Sequence, residues 1–151
     1  MVYTDLTRLA MKIAYKAHEG QTDRQGIPYI YHPVHVAEQM DTEDECVVAL
    51  LHDVVEDSDV TFEDLKDYGF TEKQIEAVRL LTHFPIEGLV SKEDRDKDYF
   101  EYVSRIKSNS LARKVKLADL DHNSDRTRLI KITEKDEERY IKYEKAKEIL
   151  R

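Results

Sequence analysis

Apolar residues recur at three- and four-residue intervals along most of this chain, and no segment alternates them in pairs. That pattern restricts the fold to packed helices. Leu6, Leu9, Ala10, Ile13, Ala14 and Ala17 define a first amphipathic helix. A loop, EGQTDRQGIPYIY, follows and holds two of the four glycines; Pro33 then opens a second helix with Val34, Ala37 and Met40 inward. Thr42 with Glu45, Thr61 with Asp64 and Thr71 with Gln74 have capping-box spacing and mark three more starts. The stretch FPIEGLVSKEDRDK reads as a polar surface excursion, after which a helix resumes near Tyr99 with Tyr102, Val103 and Ile106 inward. Asn109 or Ser110 caps LARKVKLADLDHN, and a strongly charged helix runs from Thr133. The expected fold is all-α, seven or eight helices forming a single domain over residues 1–151.

Charge limits the partners. With 37% charged residues and a formal net charge of −8, the surface lacks the basic excess that a nucleic acid polymer requires. A small anionic ligand in a locally basic pocket stays open. Cys46 is the single cysteine, so no intrachain disulfide forms. The N-terminus MVYTDLTRLAMK has no signal-peptide apolar run and nothing approaches a membrane span, so a cytoplasmic protein is expected. The sequence leaves the oligomeric state open, a homodimer included.

Four polar residues sit among apolar ones: His32 in YIYHPV, the adjacent His52 and Asp53 in ALLHDVV, and Asp119 in VKLADL. Burying such groups is costly unless each finds a partner. Individually they have ordinary explanations, His32 as a packing or capping residue and Asp119 as a partner of Lys116 one turn earlier. Together, two imidazoles and two carboxylates suit a divalent transition metal, with the carboxylates favouring Mn²⁺ over Fe, Co or Zn. If the helix persists through LLHDVV, Glu56 faces the same ion as His52 and Asp53; Asp57 follows it, and Asn123 stands one turn beyond Asp119. A carboxylate in that place can take a proton from a metal-activated water.

The ordered set HEGQ, GIPYIYHPVHVA, LLHDVVEDSDVT and VKLADLDHN resembles the HD-domain metal-dependent phosphohydrolases, and among them the (p)ppGpp hydrolase part of the Rel/Spo family. The similarity spans residues 8 to 128. It implies an HD-type helical bundle with His32, His52, Asp53 and Asp119 as metal ligands and Mn²⁺ as the ion. It also implies that Glu56 and Asp57 position and deprotonate the attacking water and that Asn123 contacts the substrate. The implied reaction removes the 3′-pyrophosphate of the alarmone, here by a stand-alone hydrolase.

The match breaks in the loop DRQGIPY. Asp23 stands where the family has an arginine that packs on guanine, Arg24 replaces a lysine, and Ile27 replaces a glutamate. A carboxylate gives a purine face no cationic support. Arg24 is therefore the expected stand-in, and Asp23→Arg is expected to improve guanine nucleotide binding. Lys116 is a further candidate for substrate phosphates. His35 is expected near the ligands or on the surface, His122 on the surface, and Tyr99 and Tyr102 in the core or beside the base. Two alternatives stay open: an HD phosphohydrolase acting on another small nucleotide, such as a nucleoside monophosphate or a dNTP, and a silent nucleotide-binding HD domain.

Overall fold

The computed structural model describes residues 1–151. Eight helices of six or more residues form the bundle: α1 (Asp5–Ala17), α2 (Tyr31–Glu38), α3 (Glu43–Leu51), α5 (Phe62–Asp67), α6 (Glu72–Leu81), α7 (Lys92–Ile106), α8 (Ser110–Asn123) and α9 (Glu134–Leu150). A single turn, α4 (Val54–Asp57), follows α3, and a 3₁₀ turn (Arg126–Arg128) follows α8. The only strand-like pairing is an isolated bridge between Thr22 and Pro28. The all-α expectation holds.

Side-chain caps set most of the starts. Thr61, Thr71 and Thr133 each complete a capping box with the residue three positions on. Thr42 accepts from the Glu45 N–H, but Glu45 turns its own carboxylate to the Asp41 N–H at 3.0 Å, so that box is left incomplete. The helix expected to resume near Tyr99 begins instead at Lys92, because Ser91 accepts the Asp94 N–H at 3.1 Å. Its first turns are charged and show no apolar period, which hides them from a pattern reading. Pro33 sits in the third position of α2 rather than the first, a displacement its missing N–H tolerates.

The centre of the bundle is α3. Six consecutive residues, Cys46 to Leu51, are buried, so this helix is apolar on every side. It is enclosed by α1, α2, α6 and α8, and it anchors one hydrophobic cluster of 28 buried residues. Helix α9 closes the far side against α7 and α8. Replacing Leu50, which is fully buried, by Ala should cost about 2–5 kcal/mol in urea unfolding followed by circular dichroism. A loss under about 1 kcal/mol would show that α3 is not enclosed on that side.

Candidate functional site

The condition that one helix persist through LLHDVV is not met, because α3 ends at Leu51. Residue His52 is the C-cap of α3, Asp53 adopts φ −107° and ψ −1°, and α4 starts at Val54. The histidine and aspartate therefore project from the break between two helices, next to the most buried part of the molecule. His32 reaches the same point from the first turn of α2, and Asp119 from the third turn of α8.

The four residues converge. Nε2 of His32 lies 2.8 Å from Oδ1 of Asp119 and 3.8 Å from Oδ2 of Asp53. Nε2 of His52 lies 3.4 Å from Oδ1 of Asp119 and 3.2 Å from Oδ2 of Asp53. One ligand atom each of His32, His52 and Asp53 falls within 4.8 Å of the others. His32 and His52 are 3% and 2% exposed and Asp119 is 4% exposed.

Hydrogen bonds orient the rings. Nδ1 of His52 donates to the Ala49 carbonyl at 2.5 Å, which leaves the buried Nε2 as a lone pair with no hydrogen-bond donor. Burial opposes a charge on His52, but Asp53 and Asp119 outweigh it and hold its pKa well above the usual value, so a cation bound at Nε2 would displace a proton that the two carboxylates favour there. Imidazole nitrogens and carboxylate oxygens converging in this way suit a cation. The donor set fits a divalent metal of the imidazole-and-carboxylate kind.

Each ligand candidate is braced from behind. Lys116 donates to Asp119 Oδ2 at 2.8 Å and Asn123 donates to Oδ1 at 3.0 Å. Lys116 is thus committed to Asp119 and also lies over the Tyr102 ring. Tyr29 donates to Asp53 Oδ2, and burial with the Asp53 charge pushes its phenol far above the normal range. The sequence motif GIPYIYHP contains Tyr29, but only the fold shows what its hydroxyl does.

His122 differs from its expected place on the surface. Its ring is half-buried, stacked between His32 (5.0 Å) and His35 (4.0 Å), with the two Nδ1 atoms of His32 and His122 2.7 Å apart. Burial first, then Arg128, His32 and His35, lower its pKa to about 4. The two Nδ1 atoms share one N–H, and on the other side of the His32 ring Nε2 meets Asp119 Oδ1 at 2.8 Å, within hydrogen-bond reach.

Glu56 and Asp57 stand on α4 beside the cluster. Oε1 of Glu56 accepts the His83 N–H. Burial raises its pKa to about 7, with Asp53 and Asp57 adding to the rise and the His83 N–H and Lys116 opposing it. Asp57 is raised for the same leading reason. The HEGQ motif supports this corner: Gln21 donates to the Asp57 carbonyl at 2.8 Å and its Oε1 lies 2.9 Å from His18 Nδ1. Tyr102 is buried with its hydroxyl on the Leu81 carbonyl, and Tyr99 packs beside it.

Two cavities open here. One, of about 380 Å³, includes His32, Tyr29, Asp23, His122 and Arg128 in its lining. The other, of about 250 Å³, includes Tyr29, Asp23, Arg24, Asn123, Arg128 and Tyr140. Arg24 is half-exposed and its guanidinium lies 2.5 Å from Asp136 of α9. Asp23 shapes the loop: its Oδ1 accepts the N–H groups of Gln25 (2.8 Å) and Ile27 (3.0 Å). An arginine there loses both bonds, so the expected gain from Asp23→Arg conflicts with the loop geometry.

No protein-family model matches the chain. The bifunctional (p)ppGpp synthase/hydrolase SpoT of Escherichia coli is 34% identical over 122 residues, 77% of this chain and 17% of SpoT. The guanosine-3′,5′-bis(diphosphate) 3′-pyrophosphohydrolase of Vibrio cholerae is 52% identical over 63 residues, 38% of this chain and 9% of that enzyme. Among solved structures, a metazoan ortholog of SpoT that hydrolyzes ppGpp matches with a TM-score of 0.76 at 27% identity, covering 100% of this chain and 88% of its own. This chain is an HD domain of the Rel/Spo type. It spans under a fifth of the length of the curated relatives named here, and 88% of the metazoan one. No helix of this Rel/Spo-type domain is long and apolar enough to cross a membrane.

If the cluster holds the ion, Asp53→Ala should abolish Mn²⁺ retention after gel filtration, read by elemental analysis, while Glu56→Ala should leave it intact. Full retention by Asp53→Ala would place the metal elsewhere.

Proposed function

We propose that this chain is a metal-dependent phosphohydrolase that removes the 3′-pyrophosphate from (p)ppGpp. The observation that carries the metal part is the convergence of the His32 and His52 Nε2 atoms on the Asp53 and Asp119 carboxylates, with the buried His52 Nε2 left without a hydrogen-bond partner. The substrate is inferred from the relatives, whose names specify this activity. His32, His52, Asp53 and Asp119 would hold the ion, with Mn²⁺ preferred for its tolerance of mixed nitrogen and oxygen ligands. When bound, such an ion lowers the pKa of water and offsets charge on the phosphoryl group.

The chain's own residues supply the rest. Lys116 and Asn123 hold Asp119 in place, and Tyr29 holds Asp53. Glu56 is fixed through Oε1 by the His83 N–H, which leaves Oε2 to accept the proton of the attacking water. The water oxygen bonds to the 3′ phosphorus, the bond from that phosphorus to O3′ breaks, and the ribose oxygen takes up a proton. Pyrophosphate and a 5′-guanine nucleotide are the products. Asp57, next to Glu56 on α4, helps orient the water.

A second reading is favoured by one observation: the Asp23 carboxylate belongs to the loop and cannot support a guanine face. On that reading the domain hydrolyses another small nucleotide with the same cluster. Metal-stripped protein reloaded with Mn²⁺ should release pyrophosphate from ppGpp and no phosphate from nucleoside monophosphates or triphosphate from dNTPs. The reverse selectivity would establish the second reading, and silence on all of them would remove the catalytic assignment.

A base must be deprotonated to act, so with Glu56 near 7 the rate should climb as pH rises through that value. Glu56→Gln should reduce kcat by about 10²–10⁴-fold. A parent-like rate in Glu56→Gln would assign the proton transfer to another group.

A further inference from the structure

A phosphorylated ligand beside an acidic cluster needs a cation that is free to meet it, and most cations near the cluster are committed. Lys116 is bound to Asp119, and Arg24 to Asp136. Arg128, in the 3₁₀ turn after α8, is placed differently. It is the only lysine or arginine lining the cavity that contains His32, and it also lines the cavity that contains Asn123. Its Nη1 donates to the His122 carbonyl at 3.0 Å and sits 3.4 Å from Asn123 Oδ1, which aims the guanidinium along the seam between the two. Its one ion-pair contact is with Asp23, with Nη2 and Oδ2 3.8 Å apart, while Asp125, three residues earlier, lines the cavity that contains Asn123. That separation is beyond hydrogen-bond range, so the charge is offset without being fully paired.

We infer that Arg128 is the cation that receives the substrate's phosphate and that Asp23 competes with that phosphate for it. The inference rests on the phosphohydrolase reading for the identity of the ligand class, a nucleoside polyphosphate. Arginine suits the task because its planar fork can give two parallel hydrogen bonds to phosphate oxygens. The half-buried setting, with the Arg128 side chain 26% exposed and Asp23 23% exposed, weakens solvent screening of both partners. Asp23 thereby has two separable functions. Its Oδ1 builds the loop through Gln25 and Ile27, while its Oδ2 charge tempers Arg128.

The separation makes the test sharp, because Asp23→Asn keeps an Oδ1 acceptor for the loop and removes only the charge. Calorimetric titration of inorganic pyrophosphate and of GDP into metal-stripped protein at low salt reads the effect without any turnover. Arg128→Ala should weaken binding by about 10-fold or more and Arg128→Lys by less. Asp23→Asn should tighten it by about 3-fold. Circular dichroism confirms that each variant is folded, and Arg128→Lys serves if the alanine variant is not. Parent-like binding by both Arg128 variants, unchanged or weaker binding by Asp23→Asn, or no binding of either anion to the parent would each overturn the inference. The hydrolase reading stands or falls separately, on release of pyrophosphate from ppGpp with Mn²⁺ present.

Discussion

A helix that is apolar on every side has to be surrounded, and the burial of α3 is the condition on which this molecule depends. Its six-residue buried run draws α1, α2, α6 and α8 around it. The helix ends at Leu51, so the next polar groups are delivered to the edge of the interior, His52 buried and Asp53 partly exposed. Two of the surrounding helices then contribute His32 and Asp119. The packing that stabilises the bundle is therefore also what forces four polar side chains together.

Charge balance explains why the cluster is tolerated. Asp53 and Asp119 bring two negative charges, and Lys116 returns one. Tyr29 and Asn123 give neutral hydrogen bonds, which satisfy carboxylate lone pairs without cancelling charge. A cation held by the imidazole nitrogens would take the place of the proton that Asp53 and Asp119 favour on His52. The remaining negative charge is the electrostatic basis for a cation in the middle. Removing a bracing group leaves a buried charge exposed to an apolar surround, a more serious loss than a missing surface pair.

The helices with strong apolar period or a threonine cap, such as α1, α6 and α9, were legible in the sequence, because local geometry alone produces those signals. The start of α7 was not, since its opening turns are charged and solvent-facing. The convergence of His32, His52, Asp53 and Asp119 could be expected from residue chemistry and the family resemblance, whereas the break between α3 and α4 could not. Apolar residues continue across it and hide the change of direction. His122 and Arg128 show the limit most clearly. Their side chains gain meaning only from neighbours distant in sequence, His122 from His32 and His35 and Arg128 from Asp23. Lys116 and Arg24 were read for their charge, but the fold supplies each with a carboxylate partner that pattern reading cannot weigh.

Asp136 bears on the order in which the molecule is completed. Only 1% exposed, at the start of α9, it receives Arg24 from the loop between α1 and α2 and Arg139 from its own helix, while Thr133 completes its shell. The helices that carry the four clustered residues all precede α9, so they can assemble before it exists. The loop that walls both cavities already meets Asp57 and Asp53 through Gln21 and Tyr29, but it gains the Arg24 tie only when α9 docks. During folding, the cluster can therefore form while this corner of its entrance is still loose, and the docking of α9 adds the tie that sets it.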